Sequence, residues 1–232
     1  MEAGQAHSGF PGLGVVAIWH DITAEGLDDF TQWHNREHMP ERLAIDGFLR
    51  GRRYVTLEGS PGFFTLYNVR DRDVLAGAEY QARLNSPTEW TRRANTYFAN
   101  ESRSLCDVLF SRGVGAGGML GTIRFDCDPD RDVALEEALA GRILRAIAER
   151  QGIAATRLCR ADIDISRVRT AENEGREDNR VPRWVILVEA GDPAPIGEAF
   201  RDPLAPDVLA ALGIPDTARA IHRLQHDLVD MI

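Results

Sequence analysis

The sequence predicts an α+β fold made of two β-α-β-β-α-β units that pack sheet against sheet. Three observations predict it. Segments rich in β-branched and apolar residues alternate with segments of helical spacing. This element order occurs twice along the 232 residues. A glycine-rich stretch, "RGVGAGG" at 112–118, separates the two occurrences and is expected to be a linker.

The first unit opens with "GVVAIWHDI", whose β-branched residues favour a strand. A long segment with the spacing of an amphipathic helix follows, and the turn "EGSPG" joins the next two strands. The predicted elements are a strand at 14–22, a helix at 26–45, strands at 47–59 and 63–71, a helix from Asp73 to about Leu84, a second helix with Ser86 as N-cap, Pro87 as its first residue and Glu89 completing a capping box, and a strand at 102–111.

The second unit repeats this order with little residue identity to the first. Its predicted elements are a strand at 119–127, an amphipathic helix at 132–152, strands at 155–166 and 183–191, a helix in two pieces at 194–213, and a strand at 218–231. The polar segment 169–180 between the two middle strands is expected to be mobile.

Each unit has the element order of the split βαβ, or ferredoxin-like, motif. Such a unit has a four-stranded antiparallel sheet with helices on one face and a bare, partly apolar second face. Packing the two bare faces together gives an α+β barrel within one chain, with the helices outside. The predicted modules are 8–113, which carries the candidate site, and 117–232, which serves mainly as its structural partner.

Composition restricts the function classes. The formal net charge is −9, and the Arg residues are scattered among acids, so neither nucleic acid nor an anionic membrane is an expected partner. The stretch "GLGVVAIW" is too short to span a bilayer, and the first twelve residues lack the pattern of a signal peptide. Cys106, Cys127 and Cys159 are far apart without a CxxC pair, which indicates reduced thiols in a cytoplasmic protein.

The segment "WHNREHMPERL" (33–43) is the strongest candidate for chemistry. It holds His34, Glu37 and His38 in the order H-x-x-E-H, which is the arrangement of the inverted zincin metalloproteases. Helical spacing places all three on the stripe that faces the sheet, and the two histidines, four residues apart, point the same way. Pro40 lacks a backbone N–H and is expected to bend or end the helix just past His38.

Three interpretations of this motif stay open. The histidines could be structural, with ordinary hydrogen-bond partners. They could bind zinc, but a third ligand is not evident, although Glu79 and Glu89 could be nominated, so no metal is expected. The favoured interpretation is a pocket for an organic ligand, with a pocket volume of roughly 300 Å³ or more. His34, His38 and Glu37 would have catalytic roles in it.

Further residues are candidates for substrate binding. Strand alternation puts Trp19 and His20 on opposite faces, but the first strand is apolar on both faces, so the face that meets the helix is not determined. The alternative for Trp19 and Tyr67 is plain core packing, and the alternative for Arg52 and Tyr54 is a solvated or ion-paired strand. His222 and His226 are expected to be structural. The candidates are Trp19, His20, Trp33, Arg52, Tyr54 and Tyr67.

The run "FTQWHNREHMPERLAIDGFLRGRRY" (30–54) resembles the first helix and second strand of the dimeric α+β barrel superfamily. More narrowly, it is similar to the EthD-like proteins, in which a helix with Trp, His and Pro leads through a Gly into a strand that begins near R-R-Y. Single-module members pair as homodimers, whereas this chain is a tandem fusion of two modules, and a homodimer of the fused chain stays open. The matching positions are Trp33, Glu37, His38, Pro40, Gly47, Arg52, Arg53 and Tyr54.

The resemblance implies an enzyme that acts without a cofactor, as an oxidoreductase, isomerase or lyase. His34 or His38 would exchange a proton with an apolar or aromatic substrate that is enolisable or phenolic. The predicted second-half helix at 132–152 has no histidine, so the pocket is expected in the N-terminal half. The alternatives are a non-catalytic protein that binds a small apolar or aromatic molecule, a haem protein with His38 as axial ligand, and a zinc protein.

Overall fold

The computed structural model of the chain describes residues 10–173 and 180–229. The start of the predicted N-terminal module, the middle of the segment 169–180 and the end of the last predicted strand lie outside these residues. The strands are β1 Gly14–Ile22, β2 Phe48–Gly59, β3 Phe63–Val69, β4 Phe98–Gly113, β5 Met119–Phe125, β6 Ile153–Ala161, β7 Trp184–Ala190 and β8 Ala218–Val229.

The helices lie between these strands in the predicted order. Within the described residues, none of them combines the length and the apolar character that crossing a bilayer requires. They are α1 Leu27–Trp33, a π-turn His34–His38, α2 Met39–Leu43, α3 Asp73–Ala76, α4 Ala78–Leu84, α5 Glu89–Asn95, α6 Asp132–Ala138, a second π-turn Leu139–Ile143, α7 Leu144–Ala148, α8 Ile163–Ser166, α9 Pro193–Arg201 and α10 Pro206–Ala211, with short 3₁₀ turns at Ala24–Gly26, Pro129–Arg131 and Ala171–Asn173.

The strands form one closed barrel in the order β1-β3-β2-β8-β5-β7-β6-β4. The first unit contributes β4-β1-β3-β2 and the second β8-β5-β7-β6, which is the strand order of two ferredoxin-like sheets. The sheets also join edge to edge, because β2 pairs with β8 and β4 pairs with β6, both antiparallel. The predicted α+β barrel of two ferredoxin-like units is confirmed. Hydrogen bonds as well as face packing close it, and closure leaves no free sheet edge.

Both faces of the barrel wall are covered. In β1, Val15, Ala17 and Trp19 belong to the cluster of apolar side chains inside the barrel, whereas Val16 and Ile18 pack under the helices outside it. This double burial explains why the sequence of β1 is apolar on both faces, as expected for a strand covered on both sides.

The helix that carries the histidines does not end near Pro40. The π-turn follows α1 directly, with the Met39 N–H donating to the His34 carbonyl, and α2 continues to Leu43 with Pro40 in its first turn. Pro40 therefore costs at most the one hydrogen bond of its missing N–H and does not stop the helix. The second unit has the same π-turn at Leu139–Ile143 without a proline, so the turn belongs to the fold.

The helix after "SPTE" starts later than the capping box predicts. Thr88 is the N-cap: its backbone is extended and its Oγ1 accepts from the Thr91 N–H at 2.9 Å. Ser86 is therefore not the cap. The helix predicted from Asp73 to about Leu84 is divided at Gly77, whose ψ of 150° is extended.

An ion cluster lies inside the barrel around Arg52, for which the sequence left open substrate contacts or a solvated or ion-paired strand. Glu189 Oε1 accepts from Arg52 Nη1 at 3.2 Å and from Arg157 Nη1 at 2.9 Å. Glu189 Oε2 accepts from the Gly117 N–H at 3.0 Å, which ties the linker to the barrel. All three side chains are buried, with side-chain exposures of 0–1%. Two cations thus share one carboxylate.

A fragment of residues 1–113 is expected to dimerise or aggregate. In the full chain, β2 and β4 pair with strands of the second half, so the fragment would expose two unpaired edges and the apolar interior face. Size-exclusion chromatography with light scattering, with the full chain as the control, measures this. A well-behaved monomer of the fragment would contradict the closed-barrel arrangement.

Candidate functional site

A cavity lies between the helices of the N-terminal half and the outer face of its sheet, at the predicted place. Its volume is about 50 Å³, which is smaller than the expected 300 Å³ or more. Two of the lining residues, Thr170 and Glu172, come from the C-terminal half, so the site is not built by the N-terminal half alone. The lining comprises Val16, Ile18, His20, Trp33, His34, His38, Arg42, Phe48, Thr65, Tyr67, Tyr80, Leu84, Phe98, Glu101, Arg103, Thr170 and Glu172.

His34 is held in one neutral form by its partners. Arg53 Nη1 lies 3.0 Å from His34 Nδ1, and a guanidinium only donates, so Nδ1 must be the unprotonated acceptor. The ring proton is then on Nε2, which lies 3.3 Å from the Tyr67 hydroxyl and donates to its oxygen. Burial, with the nearby His38 and Arg53, holds the pKa of His34 well below its usual 6.5.

The other two histidines of the cavity have mainly aromatic surroundings. The ring centroids of His38 and Trp33 are 4.3 Å apart, and those of His38 and His34 are 5.6 Å apart. His20, from β1, is stacked on Phe63 with centroids 5.6 Å apart and lies 4.7 Å from Phe98. Three imidazoles therefore line one cavity.

The arrangement does not suit a metal shared by His34 and His38. His34 already uses both ring nitrogens, so binding a metal would cost it the contact with Arg53 or with Tyr67. Among residues 10–173 and 180–229, no group of three or more His, Cys, Asp or Glu side chains is arranged to hold a metal ion.

Glu37 does not orient a histidine ring. Its Oε1 accepts from Thr88 Oγ1 at 2.6 Å and from Thr91 Oγ1 at 3.4 Å, and it is not among the lining residues. The hydroxyl groups at the start of α5 offer it strong partners outside the cavity. Thr91 Oγ1 also accepts from the Trp33 indole N–H at 3.1 Å, so this group fixes one wall of the cavity.

The six predicted substrate-binding residues divide between the cavity and the barrel interior. Trp33, His20 and Tyr67 line the cavity. Trp19 and Tyr54 lie in the barrel interior, as does Arg52 beside Glu189, and none of these three reaches the histidines. On β2 the neighbouring Arg53, opposite Thr65 in the register, is the arginine that meets His34.

The cavity has a second cluster of polar side chains that the sequence did not predict, and it consists of two pairs. Arg103 Nη2 donates to the Tyr80 hydroxyl at 2.7 Å, and Arg42 forms an ion pair with Glu172. The guanidinium carbon of Arg42 lies 5.8 Å from the centre of the Tyr80 ring. Both arginines are buried, with relative exposures of 4% for Arg42 and 9% for Arg103. Arginine is rarely buried unless it is paired, and these partners are what allow both arginines to lie beside the cavity.

The C-terminal half provides an internal comparison. Its helix has the same succession of seven α, five π and five α residues. In the paired strands, Gly14 lies opposite Val69 in one half and Met119 opposite Ala190 in the other, which aligns the two sheets. The equivalent positions are His34 and Leu139, His38 and Ile143, Arg42 and Ile147, His20 and Phe125, Thr65 and Ile186, Tyr67 and Val188, and Arg53 and Leu158.

Each C-terminal counterpart is apolar and belongs to a single packed core cluster. The same fold therefore packs these seven positions with apolar side chains in one half and with polar side chains in the other. Comparing the two halves position by position is the signal in the sequence that would have identified Arg42 and Arg53.

No protein-family model matches the sequence, and none of the curated proteins matches it significantly. Among solved structures, an anthrone oxidase-like protein is similar, with 13% identity, a TM-score of 0.63, and coverage of 95% of this chain and 94% of that chain. A candidate monooxygenase from Fusobacterium nucleatum has 10% identity, a TM-score of 0.58, and coverage of 94% and 95%. One from Lactobacillus acidophilus has 9% identity, a TM-score of 0.58, and coverage of 94% and 97%. At these identities the likeness shows the fold alone, so the chain has the ferredoxin-like α+β barrel fold of these proteins.

Proposed function

We propose that the cavity is the active site of a small-molecule enzyme of the EthD-like type that moves a proton on an enolisable or phenolic substrate. The observation that carries this proposal is the contrast between the halves: polar side chains stand at seven positions whose counterparts are apolar. A fold that needed only stability would do better with apolar side chains at all of them, because buried polar groups are costly without partners. The oxidase-like and monooxygenase-like descriptions of the structural neighbours agree with this chemistry only by analogy.

The sequence left either His34 or His38 as the base, and we propose His38. His34 is a poor proton acceptor because Arg53 donates to its Nδ1 and burial lowers its pKa. Burial lowers the pKa of Arg53 to about 10, so its guanidinium stays charged at neutral pH and keeps His34 neutral. His38 lines the cavity beside the indole of Trp33, where an aromatic substrate would also be held.

Tyr67 is the proposed donor to the oxyanion that forms. Burial raises the pKa of Tyr67, so its hydroxyl stays protonated. The chain from Arg53 through His34 ends on the Tyr67 oxygen, which leaves the phenolic proton to be donated. Charge at one end of such a chain polarises it and strengthens the last donor.

The proposed step is a proton transfer. The C–H or O–H bond of the substrate breaks, its proton passes to an imidazole nitrogen of His38, and the electron pair stays on the substrate as an enolate or phenolate that accepts from Tyr67. Return of the proton at another atom completes an isomerisation.

The protein is expected to accelerate exchange of the acidic C–H protons of small enolisable aryl ketones for deuterium. Proton NMR in D₂O measures this without knowledge of the natural substrate. A His38→Gln variant should lose roughly 10²-fold of the acceleration, the lower end for a general base. The control is His222→Gln, which alters a buried histidine inside the barrel.

An unchanged exchange rate in the His38→Gln variant would contradict the assignment of the base. Binding of phenols or ketones without any acceleration by the wild-type protein would favour the non-catalytic ligand-binding protein, which would use the same cavity.

A further inference from the structure

We infer that the ligand of this cavity carries an anionic group that pairs with Arg42, and that Glu172 takes the place of that group when the ligand is not bound. The inference rests on the proposed function, because it concerns the substrate class of the same site.

Arg42 is a buried cation on the pocket side of α2, with its counterpart Ile147 packed in the apolar core of the other half. Burial alone would lower the pKa of Arg42, but the Glu172 carboxylate and the Tyr80 and Tyr67 rings outweigh this and hold the pKa above its ordinary value. The guanidinium therefore requires an anion at this point.

The partner of Arg42 comes from far away in the sequence. Glu172 is 130 residues from Arg42 and belongs to the short 3₁₀ turn Ala171–Asn173 of the C-terminal half. Two side-chain amides hold the backbone of this turn: Asn85 Oδ1 accepts from the Ala171 N–H at 3.2 Å, and Asn95 Nδ2 donates to the Glu172 carbonyl at 2.7 Å. The Glu172 side chain is 13% exposed, so it lies at the rim between the cavity and water.

The charges of the lining favour an exchange of one anion for another. Arg42 and Arg103 are the cations, Glu101 and Glu172 are the carboxylates, and His34 is kept neutral. If a ligand anion replaces Glu172 at Arg42, the charge inside stays balanced while the Glu172 carboxylate turns to water. The cavity also gains the volume of the displaced side chain, which explains why about 50 Å³ is open now.

The spacing of the helix indicates the size of the ligand. Arg42 follows His38 by four residues, so the two side chains are neighbours on one helix face, about 5–6 Å apart at their Cβ atoms. That is the scale of one six-membered ring. A monocyclic aromatic or enolic acid would place its carboxylate on Arg42 and its hydroxyl or enolisable group near His38 and Tyr67.

The test compares two probes of nearly equal shape, 4-hydroxybenzoate and the neutral 4-hydroxybenzamide, by isothermal titration calorimetry. The proteins are the wild type, Glu172→Gln, Arg42→Gln, and the control Glu149→Gln. Glu149 pairs with Arg112 at 2.6 Å on the surface, with a side-chain exposure of 64%. Thermal melts establish that each variant is folded.

We expect Glu172→Gln to bind the benzoate at least about tenfold more tightly than the wild type does, with little change for the amide. Arg42→Gln should lose the preference for the benzoate, and Glu149→Gln should match the wild type. Binding of the amide without a gain for the benzoate in Glu172→Gln, or an equal gain for both probes, would overturn the anion site and leave the proposed function standing. If neither probe binds to any of the folded proteins, the result would count against the anion site and the proposed function alike.

Discussion

Replacement of Glu189 by Gln is expected to lower the free energy of unfolding by about 3–5 kcal/mol, enough to prevent folding if the total is near the low end for a domain. Glu189 is the carboxylate shared by Arg52 and Arg157 inside the barrel. The substitution preserves shape but leaves two buried guanidinium groups without an anion. Glu189 is fully buried, so water cannot replace the lost charge.

The substitution Arg52→Met should be much milder, about 1–2 kcal/mol. The cluster holds two cations and one carboxylate, so removing Arg52 leaves Arg157 and Glu189 as a balanced pair. Arg52 Nε and Nη2 also have no hydrogen-bond partner among the described residues, so the substitution removes unmet donors together with one ion pair.

Urea denaturation followed by circular dichroism measures both variants against the wild type. Glu149→Gln, in the exposed pair with Arg112, is the matched control for losing a carboxylate and should change stability by less than about 1 kcal/mol. An effect of Glu189→Gln no larger than that of Arg52→Met would show that the shared carboxylate does not neutralise the cluster.

The predictable part of this protein is the part that local patterns determine. The strand predicted at 14–22 has those bounds in the structure, because β-branched residues fill it and Gly and Pro punctuate its surroundings. Most of the glycine-rich linker lies between β4 and β5 as expected, although its first two residues, Arg112 and Gly113, end β4. Two successive units of the order β-α-β-β-α-β can pack their sheets together in only a few ways, so the barrel could be predicted.

Outside its helix, the candidate site was predictable only at His20 and Tyr67, which line the cavity. Which of Arg52 and Arg53 faces the helix depends on the strand register, and a strand covered on both faces hides it. Glu189 lay inside the apolar run "RWVILVEAG", where one acid gives no signal of two buried partners. The ion pair of Arg42 and Glu172 joins positions 130 residues apart, and no local pattern predicts such a contact.

The second large effect concerns pH: the protein should lose stability steeply as the pH falls from about 6.5 to 4.5. His34 and His222 are both buried, and burial lowers the pKa of each, with His38 and Arg53 adding to the shift at His34 and Arg124 at His222, whose pKa falls to about 3. In the unfolded chain both titrate near 6.5.

Neutral His222 already satisfies both ring nitrogens. Thr56 Oγ1 donates to the Pro61 carbonyl at 2.5 Å, so it accepts from His222 Nδ1–H at 3.0 Å. Thr122 Oγ1 accepts from the Trp19 indole N–H at 3.2 Å and donates to His222 Nε2 at 3.0 Å. A second ring proton would turn His222 Nε2 from an acceptor into a donor and force the Thr122 hydroxyl to turn its own proton elsewhere. A proton on Nδ1 of His34 would face the Arg53 guanidinium, which cannot accept.

The sign follows from where protons bind. Below pH 6.5 the unfolded chain takes up a proton at each histidine while the folded chain does not, so acid favours unfolding. His222, whose folded-state pKa is about 3, contributes a slope of about 1.4 kcal/mol per pH unit, or roughly 2–3 kcal/mol between pH 6.5 and 4.5, and His34 contributes in the same direction. The contribution of both histidines to the free energy of unfolding is fully present above pH 6.5. That of His222 continues to fall until about pH 3.

Urea denaturation of the wild type, His34→Leu and His222→Gln at pH 7.0, 5.5 and 4.5 separates the two histidines. Leu is the residue that the C-terminal half has at the position of His34, so it removes the titration without a foreign shape. His222→Gln should flatten the acid slope by about 1.4 kcal/mol per pH unit, and His34→Leu should flatten it in the same direction. Carboxylates such as Asp29, Asp132 and Asp227, whose pKa values salt-bridge and hydrogen-bond partners hold below 3.8, lose their contribution only at lower pH. Burial also lowers the pKa of His226, but this residue is unchanged in all three proteins and does not affect the differences between their slopes. Parallel slopes in all three proteins would mean that the buried imidazoles take up protons in the folded state. His34 would then be available as a base, and the assignment of that role to His38 would have to be revised.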